Sequence, residues 1–104
     1  MRPIRIDSFD GRLLLKLTKL RSLTGAQIRA ARSLVRWRAE DLAQHSAVGV
    51  ATIRRAELAE EETSMTMAND LAVRRALESA GVEFIDENGG GAGVRLKKAA
   101  RMQP

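Results

Sequence analysis

Four short stretches of the 104-residue chain hold side chains capable of chemistry or recognition. His45 and Ser46 put a base beside a nucleophile. Adjacent residues on a helix point about 100° apart, and no carboxylate is placed to orient the imidazole as a triad requires. Glu60, Glu61 and Glu62 form an acidic run with no histidine or cysteine nearby and no calcium-loop spacing. That run reads as a solvated stretch, or as an acidic guard against a polyanion. "ENGGGAG" is glycine-rich, but no lysine with serine or threonine follows it and no helix opens from it, so a hairpin turn is expected there, not a phosphate loop. The expectation is a non-enzyme with no catalytic residue, metal or cofactor. The fourth stretch, "VATIRRAE", sets Thr52, Arg54 and Arg55 on one short segment. Such side chains read base edges and hold phosphates.

Charge is distributed unevenly along the chain. The net charge is +5. Residues 1–23 and residues 24–56 each carry six basic and two acidic groups, residues 57–87 carry two and nine, and residues 88–104 carry four and none. Positive charge therefore gathers around "VATIRRAE" and at both ends, which fits one face turned toward a polyanion. There is no cysteine, and aromatics are limited to Phe9, Trp37 and Phe84. The core must be aliphatic, which suits helices. Charges run throughout the first 23 residues and no apolar run is long enough to span a membrane. The expected setting is the cytoplasm, on the bacterial nucleoid, with no membrane partner.

Positioning the arginines requires a tight corner. "LAQHSAVGVATIRRAE" reads as a helix over 39–45, a turn, and a helix over 50–59. Two helices crossing steeply need a small residue at the crossing, which Ala43 supplies. The turn needs positive φ at Ala47, where alanine costs roughly 1 kcal/mol more than glycine. Val48 and Ile53 plug the core from either side, and Gly49 is the N-cap of the later helix. The spacing matches a DNA-reading helix-turn-helix.

The remaining elements supply the core. Thr24 reads as the N-cap of a helix, "GAQIRAARSLVRW", with Ile28, Ala31, Leu34 and Val35 on one face and Trp37 at its junction with the next helix. Ser64 or Thr66 caps a later helix carrying Met67, Leu71, Val73, Leu77 and Ala80, and Gly81 ends it. "VEFID" and "VRLK" then alternate as two strands of a hairpin. Residues 1–23 read as an N-terminal arm or extra helix, with Leu13, Leu17 and Leu20 on one face. Residues 24–81 form the DNA-binding domain, 82–98 the hairpin, and 99–104 a basic tail. The fold class reads as mainly α: four to five helices around a helix-turn-helix, with a C-terminal β-hairpin. Val82, Phe84, Val94 and Leu96 give the hairpin one apolar face, expected to form a homodimer interface.

"TGAQIRAARSLVRWRAEDLAQHSAVGVATIRRAE" resembles the phage-repressor-like helix-turn-helix family often called XRE. The tail "RRALESAGVEFIDENGGGAGVRLK" resembles the end of a compact bacterial subgroup of that family. The resemblance implies that Arg32, late in the first helix, pairs with Glu57 at the end of the third. It implies base reading by Val50, Ala51, Thr52 and Arg55, with Arg54 taking a phosphate. Where the family commonly opens the second helix with Ser or Thr and then a phosphate-binding Gln, this chain has Arg38 and Ala39. Arg38 then replaces the lost phosphate contact by charge. Gly49 stands in place of the family's Ser, and Leu58 and Ala59 stand where a glycine follows Glu57.

Two functions fit. The first is a sequence-specific regulator, a dimeric repressor of a palindromic operator in double-stranded DNA. The second is a protein-interaction module, an antitoxin holding a toxin or an antiactivator holding a transcription factor. The first is the leading reading; the N-terminal arm, the acidic block and the missing glutamine favour the second.

Overall fold

The structure is a computed structural model and describes residues 23–98. The expected arm with Leu13, Leu17 and Leu20, and the basic tail 99–104, lie outside the described residues. Four helices are followed by a two-stranded hairpin: α1 (Gly25–Val35), α2 (Ala39–Ser46), α3 (Val50–Glu57), α4 (Met67–Ser79), β1 (Val82–Ile85) and β2 (Gly93–Leu96). None of these helices is long and apolar enough to cross a membrane.

Helix α1 starts with a capping box. The Thr24 hydroxyl accepts from the Gln27 N–H, and the Gln27 side chain accepts from the Thr24 N–H, each at 3.0 Å. Its end comes earlier than the sequence predicts. Arg36 turns left-handed, with φ 60°. The Arg36 N–H then reaches Ser33 O and the Trp37 N–H reaches Arg32 O, a Schellman arrangement on a residue other than glycine. Helix α2 has no side-chain cap; instead the Arg38 N–H donates to the Asp41 carboxylate at 2.8 Å. Thr66, not Ser64, caps α4 by accepting from the Asn69 N–H.

Leu23, Ile28, Leu42, Ile53, Val73, Leu77 and Val82 are fully buried at the centre. Each stabilises the fold by about 1.5–3 kcal/mol through removal from water. Leu23 precedes the expected domain start and is nevertheless core; its carbonyl accepts from the Thr63 N–H at 2.9 Å, and Thr24 bridges Glu62. Leu34 departs from its expected inward place: it is exposed, because the α1 stripe narrows to Ile28, Ala31 and Val35 near the left-handed stop.

Gly25 is where α1 meets α3. A Cβ there would lie 2.3 Å from the Ala59 carbonyl oxygen and 2.7 Å from that of Ala56. Only glycine permits this approach.

The hairpin pairs Val82 with Leu96, Glu83 with Arg95, Phe84 with Val94 and Ile85 with Gly93. Gln27 ties it to α1: its Nε2 donates to Gly93 O at 3.0 Å and more weakly to Ile85 O at 3.4 Å. Phe84 packs under Arg74, whose guanidinium lies 5.0 Å from the ring centre.

Candidate nucleic-acid interface

The corner between α2 and α3 is built by three side chains and one strained residue. Ala47 has φ 62°, and its N–H closes onto Ala43 O at 2.9 Å. The Ser46 hydroxyl donates to Leu42 O at 2.7 Å and accepts from the Val48 N–H at 3.2 Å. Ser46 is buried, so this relay satisfies the turn where water does not reach. Val48 and Ile53 are buried on either side. Gly49 precedes α3 as an extended N-cap. His45 has no part in a Ser46 dyad; it stacks on Trp37, with ring centres 4.2 Å apart and planes 5° from parallel.

The far end of α3 is clamped to α1. Arg32 holds both Glu57 carboxylate oxygens, at 2.6 and 2.9 Å, and donates to Trp37 O at 2.9 Å. The hydrogen bonds that Arg32 donates to the Glu57 carboxylate raise the Arg32 pKa above its ordinary value. Arg29 donates to the Glu57 backbone carbonyl. Two cations thus meet the negative end of the α3 dipole.

With both ends held, α3 turns Ala51, Arg54 and Arg55 outward. Their spacing of three and four residues puts them on one face. Thr52 is half-buried at its margin. Val50 belongs elsewhere: it is half-buried and packs against the core, because one residue before Ala51 is about 100° around the helix. The outward face is therefore Ala51, Arg54 and Arg55, edged by Thr52.

Arg54 is already engaged. It pairs with Glu40 in the first turn of α2, at 2.5 Å. The Glu40 carboxyl lies below its usual pKa, first through a hydrogen bond from its own backbone N–H and then through Arg54. Arg38 is exposed at the start of α2, with Asp41 at 3.6 Å. Arg55 has no ion pair or side-chain hydrogen bond among the described residues. The structure thus gathers Arg38, Arg54 and Arg55 on the α2–α3 unit, but partly neutralises two of them.

The four residues expected at a dimer interface separate. Val82 and Phe84 are buried beneath the chain's own helices, with α4 against β1 and α1 against both strands. A second copy cannot bury them again. Val94 is half-buried and Leu96 exposed.

Several contacts escaped sequence reasoning. The Thr24–Gln27 capping box was legible as T-x-x-Q, but the reach of Gln27 to the hairpin was not. Ser46 reads in the sequence only as a nucleophile beside His45, because its partners Leu42 and Val48 are set by the turn. The Glu40–Arg54 pair spans two helices and leaves no local spacing signal. No family model matches the chain, and no curated protein matches it.

Proposed function

We propose that the protein is a sequence-specific DNA-binding regulator, a dimeric repressor, in which α2 and α3 form a repressor-like helix-turn-helix of the XRE type. The observation that carries this reading is the outward face of α3. Its two ends are fixed by the Ala47 corner and the Arg32–Glu57 clamp, while Arg55 and Ala51 remain exposed. A rigid short helix with an unengaged arginine is suited to the major groove, where Arg55 forms a bidentate contact to a guanine edge and Ala51 or Thr52 meets a thymine methyl. Arg38 and Arg54 flank that contact and hold phosphates. One such helix makes few base contacts, which is why two half-sites and a dimer are part of the reading.

Selection from a random duplex pool tests it. The expected product is a palindromic sequence, whose binding weakens with salt by a log–log slope of about 0.9 per neutralised phosphate. No enrichment even at low salt would overturn the reading.

One observation favours the second reading. Leu58, immediately after α3, is 80% exposed, and a large apolar side chain beside a basic face also suits a protein partner such as a toxin or transcription factor. Leu58→Ser would then abolish partner capture and leave DNA binding intact.

A further inference from the structure

The ladder between β1 and β2 determines which backbone groups are left over. The Lys97 N–H donates to Gly81 O at 2.8 Å, making residues 81 and 97 a hydrogen-bonded pair. Antiparallel pairs alternate, so in this register Glu83–Arg95 and Ile85–Gly93 are hydrogen-bonded pairs and the two between them are not. The amides and carbonyls of Val94 and Leu96 therefore point away from β1. Among the described residues no strand lies beside them, and Leu96 is 51% exposed. The outer edge of β1 is different, since Val82 and Phe84 are buried there. An exposed edge of this kind is a template for another strand.

We propose that the β2 edge pairs antiparallel with the same edge of a second copy, about a two-fold axis through Val94. The proposal rests on the dimeric reading above and specifies its interface. Only the outward-pointing residues can exchange hydrogen bonds, so an axis centred on this edge passes through Val94, Arg95 or Leu96. An axis at Arg95 sets that residue against the partner's Arg95. An axis at Leu96 sets Arg95 against the partner's Lys97. An axis at Val94 sets Arg95 against the partner's Gly93, which brings neither charge nor side chain. Glu83 of the same hairpin holds each Arg95 at 3.1 and 3.2 Å and offsets part of its charge; like charges directly opposite are still destabilising, so the Val94 register is favoured.

Gly93 makes the register testable. Its φ is not in the left-handed region, and an added Cβ meets nothing within 4 Å, so substitutions there leave the fold intact. Gly93→Lys would face the partner's Arg95 twice by symmetry, and Gly93→Glu would meet it with opposite charge. Sedimentation equilibrium of the full chain should show the dimer weakened about three- to tenfold by Lys and tightened by Glu, with circular dichroism unchanged. A monomeric parent, or two variants that associate like the parent, would overturn the proposal. The chain has no cysteine, so single Val94→Cys, Arg95→Cys and Leu96→Cys variants read the axis directly. Residues facing each other in a hydrogen-bonded pair have Cα atoms about 5.5 Å apart, within disulfide reach. Fastest oxidative cross-linking at 94 is expected; fastest at 95 or 96 overturns the register. Titration of a single half-site separates the two readings. A monomer that binds it removes the edge interface and leaves DNA reading. A dimer with no affinity for any duplex removes DNA reading and leaves the edge.

Discussion

Helix α3 carries an ion pair on each side, and the two differ in everything except their chemistry. On the inner side, Glu57 and Arg32 have side chains 9% and 22% exposed, and the guanidinium grips both carboxylate oxygens. On the outer side, Arg54 and Glu40 are 57% and 50% exposed and meet through one nitrogen and one oxygen. The inner pair is largely shielded from water, so removing either member leaves a half-buried charge without its partner. The outer pair stays hydrated and adds little to stability. Arg54 can therefore exchange Glu40 for a phosphate at little cost, whereas Arg32 cannot leave Glu57 without loosening the helix. One pair fixes the helix, and the other leaves its outer arginine exchangeable.

The largest expected effect breaks the inner pair. Glu57→Ala should lower stability by about 3 kcal/mol, measured by urea denaturation. Adding Arg32→Ala should cost less than the sum of the two single changes, because no charge is then left unpaired. Additive losses would show that the two residues act separately. Next is Gly25→Ala. Its Cβ would push against the α3 carbonyls of Ala56 and Glu57 and against Ala59, so a loss of about 1–3 kcal/mol is expected from overpacking. An unchanged melting temperature would show that the α1–α3 approach relaxes freely.

The outer side should respond in binding and not in stability. Arg55→Ala should weaken the selected operator by about 1–3 kcal/mol and relax choice at one base pair. Arg38→Ala should weaken all sequences alike and flatten the salt slope. If both variants bind every duplex as the parent does, the outward face of α3 is not the reading face. A smaller effect of opposite sign is expected from Glu40→Gln. It loosens the hold on Arg54 and removes a negative charge beside the proposed phosphate contact, so affinity should rise slightly, most at low salt. Weaker binding would mean that Glu40 positions Arg54 productively.

Asp70 sharpens the comparison as a buried carboxylate with no ion pair among the described residues. It accepts from the Thr63 hydroxyl at 2.7 Å, and burial pushes its pKa up against that hydrogen bond. A raised folded-state pKa means that its contribution is fully present below the unfolded value, near 3.9, and is lost as pH rises through the folded value. Asp70→Asn keeps an acceptor for Thr63 and removes that loss. The variant should gain slightly over the parent at pH 7 and not at pH 3, the smallest of these effects.

The same contrast between local and distant causes separates what was legible in the sequence. The helices over "GAQIRAARSLV" and "MANDLAVRRALES", the left-handed Ala47 and the Gly49 cap follow from periodicity and from the few conformations a tight turn allows. The hairpin follows from the change to alternation after Gly81. These depend on neighbours within a few residues, and their energies are decided there. The early stop at Arg36 is local too, but no glycine announces it. The apolar face of the hairpin was legible, whereas its occupant was not. Val82 and Phe84 read equally well as interface or as core until α1 and α4 were placed over them. Glu40–Arg54, Gln27 with Gly93, and the carbonyls crowding Gly25 join residues far apart in the chain. Sequence alone determined which helices form and where the corner at Ala47 falls, because hydrogen-bond periodicity and backbone sterics act over one or two turns. Tertiary structure alone decided which arginines are engaged and which apolar residues stay exposed, because charge pairing and burial depend on distances that only packing sets.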